Sequence, residues 1–187
     1  MPQLWFRNTW EWGRKSALPQ LWHQPMALNP GTIVAQHWRA GVYRFQASPT
    51  DSGVHPTPLF CDNVSNEQAL WGTPNKSNFP KDGINDHVVS GAATVNPNRT
   101  GTKAAWWYVA EVAPGEMVEF RLRLAAEAPE HPDHHPLSAH GFTKLFDTRL
   151  TEADEFYDTV APADTADAEK AVMRQAFAEY QSWTTCS

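Results

Sequence analysis

Cysteine is scarce in this chain: two residues in 187, Cys61 and Cys186. That is too few for a disulfide framework, and it points to a reducing compartment. Basic charge is also short. Fifteen Lys and Arg stand against twenty-one Asp and Glu, for a net charge of −6 and a pI near 5.7. No positive field exists to draw in nucleic acid or an anionic lipid surface. Apolar runs are short as well, and none approaches the ~18 residues that a membrane span needs. The opening MPQLWFRNTWEWGRK lacks the basic-then-apolar layout of a signal peptide. The expected location is therefore the cytoplasm, with neither membrane nor nucleic-acid partners. Three glycosylation sequons, at Asn63, Asn75 and Asn98, matter only in a secreted chain, which nothing else suggests.

Tryptophan is abundant instead, with nine copies. An indole favours sites with one apolar and one wet side, the kind of surface that a sugar presents. The count raises the expectation of carbohydrate contact, although core packing is the commoner role of any single ring.

The pattern along the chain is strands first and helices last. Leu4-Trp5-Phe6 reads as a strand. The segment Asn8–Arg14 follows it, with Trp10 and Trp12 two apart and so on one face if extended. A stretch punctuated by Pro19, Pro25 and Pro30 leads to a hairpin, Thr32–Trp38 and Val42–Ala47, turning at Gly41. Residues 48–80 are loop-rich, with an apolar run at Pro58–Cys61 and a short helical turn at Asn66–Trp71 closed by Gly72. The strongest pattern lies between Ala105 and Leu124. Val118, Phe120, Leu122 and Leu124 alternate with Glu119, Arg121 and Arg123, which predicts an antiparallel hairpin around Ala113–Glu116. Beyond a connector rich in Pro and His, Phe146, Leu150, Ala153, Tyr157 and Val160 recur at helical spacing up to Pro162. A second helix, capped by Asp164 or Thr165, carries Ala168, Val172, Ala176 and Phe177 on one face. The expected architecture is mainly β with C-terminal α: an incomplete antiparallel β-sandwich over 1–126, a connector over 127–141, and two linker helices over 142–187.

The block Lys81–Tyr108 draws attention because two polar loops, Lys81–Asp86 and Asn96–Thr102, border the apolar runs Val88-Val89 and Trp106-Trp107-Tyr108. Binding groups tend to sit on loops of this kind, and so do plain turns. Several chemistries can be weighed here. Asn98–Lys103 lacks the second glycine and the Ser or Thr of a phosphate loop. No G-x-S-x-G elbow occurs. His131, His134, His135 and His140, with Glu130 and Asp133, are interrupted by prolines and read as a solvated connector, so no metal and no cofactor are expected. Cys61 has no base partner in the sequence and reads as a small buried hydrophobe. Glu11 stands between two tryptophans, and Asp82 and Asp86 flank a glycine turn. Hydrolysis by inversion needs carboxyl groups roughly 6.5–9.5 Å apart, a separation that sequence does not fix.

The motifs also run in the order of a known family. Leu4–Gly13 resembles the FRNTWxWG stretch of bacterial glucosidase-like proteins of glycoside hydrolase family 63, relatives of the mannosyl-oligosaccharide glucosidase that trims N-glycans. Asn66-Glu67, Leu70–Gly72, Lys81–Val89, Val95–Pro97, Gly101–Ala105, Glu152–Tyr157 and Arg174–Phe177 continue the likeness nearly to Ala178. The resemblance implies an N-terminal β-sandwich joined by linker helices to an (α/α) barrel that holds the catalytic acid and base. It implies that this chain is a fragment, with the later part of the sandwich and the linker, whose tail Glu179–Ser187 departs from the family. The expected function is that of an inverting α-glucosidase-like hydrolase of gluco-oligosaccharides without its catalytic pair. The alternatives are a non-catalytic carbohydrate-binding module or a structural one. The implied partners are an oligosaccharide and the barrel. Arg7, Trp10, Trp12, Asp82, Asn85, Asp86 and Lys103 are the expected substrate-binding or interface-bracing residues, and none is assigned as catalytic.

Overall fold

The computed structural model describes residues 1–10, 18–26, 29–127 and 139–184. The chain divides into two compact units, Met1–Ser138 and Ala139–Ser187. The first unit is mainly β. Three strands, β1 (Gln3–Trp5), β7 (Lys103–Trp107) and β5 (Thr57–Cys61), form one sheet in the order β1-β7-β5. The other sheet runs β6-β2-β3-β4-β8, from β6 (Thr100–Gly101), β2 (Gln20–Met26), β3 (Asn29–His37), β4 (Gly41–Ala47) and β8 (Leu122–Ala126). Every pairing is antiparallel.

The two sheets share one apolar layer. Phe60, Ala104 and Trp106 come from the three-stranded sheet, and Leu21, Ile33, Ala35, Phe45 and Ala47 from the five-stranded one. Alternation along β3 and β4 sends Ile33, Ala35, Phe45 and Ala47 inward, as strand geometry requires. A smaller cluster (Leu59, Cys61, Ile84 and Ala105) forms where α2 (Gly83–Ser90) packs on β5. The expected β-rich order followed by helices holds, as an open sandwich.

Several local expectations hold too. The β3–β4 hairpin turns where Gly41 takes φ 86°. The short helix α1 (Glu67–Trp71) is capped by Asn66, whose Oδ1 accepts the Ala69 N–H at 3.1 Å. It is closed by Gly72 in the left-handed region.

Four sequence readings are corrected or sharpened. First, Ala105–Leu124 is not a hairpin, because β7 and β8 belong to different sheets and β8 pairs with β4. The turn itself exists, with the Glu116 N–H donating to the Ala113 carbonyl at 3.0 Å. The arms then part, since Trp106 is claimed by the core while Leu122–Ala126 closes the open edge of β4. Leu124, expected inside, is 54% exposed on that edge. Second, Val88-Val89, read from the sequence only as an apolar run, is helical: it lies in α2, where Val88 packs on the smaller cluster and Val89 faces outward. Third, the proline-punctuated stretch holds strand β2: Pro19 precedes it, Pro25 sits at a register shift between Gln24 and Met26 where the ladder tolerates a missing donor, and Pro30 falls at the start of β3. Fourth, the chain leaves the strand ladder after β1. Trp10 sits in a 3-10 turn rather than on a strand, and Trp12 and Glu11 lie outside the described residues.

The second unit is a pair of helices. α3 (Ala139–Val160) ends two residues before Pro162, and α4 (Asp167–Thr184) begins slightly later than the expected caps, Asp164 or Thr165. Tyr157 stacks on Phe177 with ring centroids 6.5 Å apart, and the Arg174 guanidinium lies 5.0 Å over the Tyr157 ring while pairing with Asp154. Of the histidine cluster, His140 stands in the first turn of α3, and His131, His134 and His135 lie outside the described residues. Among the described residues, no helix is long and apolar enough to cross a membrane.

Candidate functional site

The seven sequence-identified residues do not form one constellation. Asp82 and Lys103 are brought to one corner by Lys81, which precedes Asp82 and whose carbonyl takes the Lys103 ammonium. Asp82 Oδ2 accepts from Asn66 Nδ2 at 2.8 Å, and Asn66 Oδ1 also takes Asn75 Nδ2 at 3.0 Å. Lys103 Nζ donates to the Lys81 carbonyl at 2.9 Å, while Lys81 Nζ reaches Ser65 Oγ at 3.3 Å. These polar groups bind one another. Asp82 precedes α2 but makes no cap bond to it, its Oδ2 being taken by Asn66, and its Oδ1 is buried without a donor among the described residues. Asn85 is exposed on α2, with Nδ2 3.5 Å from Asp86 Oδ1. Arg7 is exposed beyond β1.

Cys61 closes the corner from beneath. It is fully buried, and its Sγ lies 3.9 Å from the Lys81 carbonyl. Burial pushes its thiol up to about 12, outweighing the downward pull of the Lys103 charge. A thiol held protonated in this way is no nucleophile.

The remaining residue, Trp10, leads to a different place. It lines a hollow of about 220 Å³ together with Leu18, Asp62, Lys76, Ser77 and Thr102. Leu18, Asp62 and Thr102 also line a larger hollow of about 550 Å³, whose other walls include Trp22, His23, Asn98 and Arg99. The two hollows adjoin, sharing Leu18, Asp62 and Thr102, and line the edge groove where the chain crosses from one sheet to the other: Thr100–Gly101 pairs with β2, and Lys103 onward pairs with β1 and β5.

Local chemistry builds this edge. Asn96 Nδ2 donates to the Thr100 carbonyl at 2.8 Å, and Asn96 Oδ1 accepts the Asn98 N–H at 3.0 Å, folding the loop on itself. Arg99 takes φ 55°, a left-handed conformation unusual for arginine. Its carbonyl accepts the His23 N–H at 3.0 Å, and its Nη1 lies 3.3 Å from His23 Nδ1. The His23 ring in turn meets Trp106 edge-on at 6.2 Å, tying the loop to the core. Gly101 allows the crossing. A Cβ there would stand 2.3 Å from the Cys61 carbonyl oxygen. Asp62, just past β5, donates its N–H to the Phe79 carbonyl at 2.7 Å and accepts Ser77 Oγ on Oδ2 at 2.7 Å.

Sequence reasoning singled out the Asn96–Thr102 loop as a place for binding groups and Trp10 as a contact. It missed Asp62, Trp22 and His23, which reach the groove from β5 and β2. The only available signal was Asp62 following an apolar run, and that marks any strand end. Among the described residues, no cluster of three or more His, Cys, Asp or Glu side chains could hold a metal.

A mainly β, two-sheet unit with an edge groove, followed by a helical pair, is thus the class of protein that the fold defines. The chain is similar to the uncharacterized protein YMR196W of Saccharomyces cerevisiae, at 31% identity over 203 residues covering 94% of this chain and 18% of the yeast protein. It therefore spans about a fifth of that relative's length. No protein-family profile and no solved structure matches it.

Proposed function

We propose that this chain is the β-sandwich and linker-helix segment of a longer carbohydrate-active protein. In this reading the protein is an inverting α-glucosidase-like hydrolase resembling glycoside hydrolase family 63, and its catalytic acid and base lie outside this segment. The observation that carries the reading is the groove. An aromatic ring, a carboxylate, an amide and a guanidinium converge on it, the set that sugar hydroxyls and C–H faces call for. The ordered motifs from Leu4 to Phe177 support it, and so does a relative more than five times as long as the matched region. In the whole protein one carboxyl would protonate the glycosidic oxygen while the other activates water on the opposite face. The sandwich would present the oligosaccharide. The corner of Asp82 and Lys103 would keep the loops beside the barrel in shape. A cytoplasmic location fits the buried free thiol of Cys61.

A second reading, a binding module that acts without catalysis, is favoured by the groove lying wholly within the first unit. Titrating the 187-residue chain with gluco-oligosaccharides while following Trp fluorescence tests both readings. Saturable quenching without release of glucose is expected. No response to any gluco-oligosaccharide would overturn the carbohydrate reading, and hydrolysis by this chain would overturn the claim that the catalytic pair lies elsewhere.

A further inference from the structure

We infer that the groove along the sheet-crossing edge is a subsite for a short, uncharged saccharide, with Asp62 as its hydroxyl anchor and Asn98 and Arg99 lining the same hollow. This rests on the carbohydrate reading above and assigns it a place. Asp62 is set up as an anchor. Its Oδ2 is held by Ser77 Oγ, whose own acceptor capacity is used by the Phe79 N–H at 3.0 Å, so the carboxylate cannot swing freely. Its Oδ1 has no donor among the described residues. Gly101 lies beside Oδ1: a methyl group there would stand 3.4 Å from that oxygen, in ordinary contact, and 2.3 Å from the Cys61 carbonyl oxygen, where the backbone would have to move. In the same hollow, the Asn98 side-chain amide is exposed and makes no bond of its own within the described residues, its backbone N–H alone being taken by Asn96 Oδ1.

The charge balance selects the ligand class. Asp62 and Arg99 carry opposite charges on one hollow. A phosphate or carboxylate ligand would meet Asp62, and a cation would meet Arg99. A neutral polyol uses both, donating a hydrogen bond to the carboxylate and accepting one from the guanidinium. Leu18, Pro19 and Trp22 supply an apolar wall for the C–H face of a ring. The larger hollow, about 550 Å³, lies in the range of small-ligand sites and suits a short oligosaccharide.

Calorimetric titration of the 187-residue chain with maltotriose, and separately with inorganic phosphate, tests this. Asp62→Ala should weaken maltotriose binding about tenfold or more, and Asn98→Ala by about threefold, as expected for losing a charged and a neutral hydrogen bond. Asn98→Ala removes no internal bond, so it decides the matter if Asp62→Ala fails to fold. Binding by the parent chain that neither variant weakens would overturn the groove and leave the carbohydrate reading standing. Phosphate that binds tighter than maltotriose would overturn the ligand class. If the parent chain binds no saccharide at all, both fall.

Discussion

Two polar regions lie side by side in the first unit, and they differ in what their polar atoms are doing. At the corner, Asn66, Asp82, Lys81 and Lys103 bond to one another and to main-chain carbonyls. In the groove, Asp62 keeps one oxygen and Asn98 its amide unengaged by the described residues. Both regions come from short loops with the same residue types. The difference lies in access: the corner's one carboxylate oxygen without a donor, Asp82 Oδ1, is buried, whereas Asp62 borders an open hollow. Polar groups closed off inside the fold hold it together, and preorganised groups left unmatched beside an open volume can hold a ligand. Cys61 separates the two. Its thiol faces the Lys81 carbonyl and its own carbonyl takes the Thr102 N–H at 3.1 Å, so one residue supports the corner and the groove on opposite sides.

The sharpest way to break this contrast is to crowd each region in turn. A Cβ at Gly101 would meet the Cys61 carbonyl at 2.3 Å, and one at Gly83 would meet the Thr94 carbonyl at 2.2 Å. Gly101→Ala and Gly83→Ala should each cost about 1–3 kcal/mol in urea denaturation, because rigid backbone must move. Only Gly101→Ala should also weaken maltotriose binding in calorimetry. Equal losses of affinity would erase the distinction.

A smaller effect is expected at the hub of the corner. Asn66→Ala removes the α1 cap together with the bonds to Asp82 and Asn75. It should lower stability by about 1–2 kcal/mol in thermal melts while leaving saccharide affinity unchanged.

The smallest effect concerns Cys61, whose thiol is raised from 9.0 to about 12 by burial. A folded value above the unfolded one means that the native state keeps a proton the unfolded chain releases. The stability contribution is therefore full below pH 9 and falls as pH rises toward 12. In a Cys186→Ser background, iodoacetamide labelling of Cys61 at neutral pH should be negligible without denaturant. Rapid labelling of the folded chain would show that the floor between corner and groove is open.

Much of the fold was legible from sequence wherever the signal was local. The Asn66 cap with Gly72, the hairpin at Gly41 and the stop before Pro162 each depend on residues within a few positions of one another. The partner of a strand is not local information. Alternation from Val118 to Leu124 marks a face but does not say whether β8 pairs with β7 across the turn or with β4 in the other sheet. Pro25 disguised β2 because the bulge that accommodates it is a property of the pairing. The candidate site divides the same way. The Asn96–Thr102 loop was visible as polar, and Trp10 as a candidate stacking ring, whereas Asp62 joins them only because the chain changes sheets at Thr102. Asp82 and Lys103 stood out by type, and which partners they would take required the fold.

The most direct test of the central claim is a map of backbone amide shifts in the isotope-labelled 187-residue chain as maltotriose is added. The account predicts saturable shifts at Asp62, Asn98, Arg99 and Gly101, with the amides of α2 from Gly83 to Ser90 unmoved. Shifts confined to α2 and its corner, with the groove silent, would contradict it.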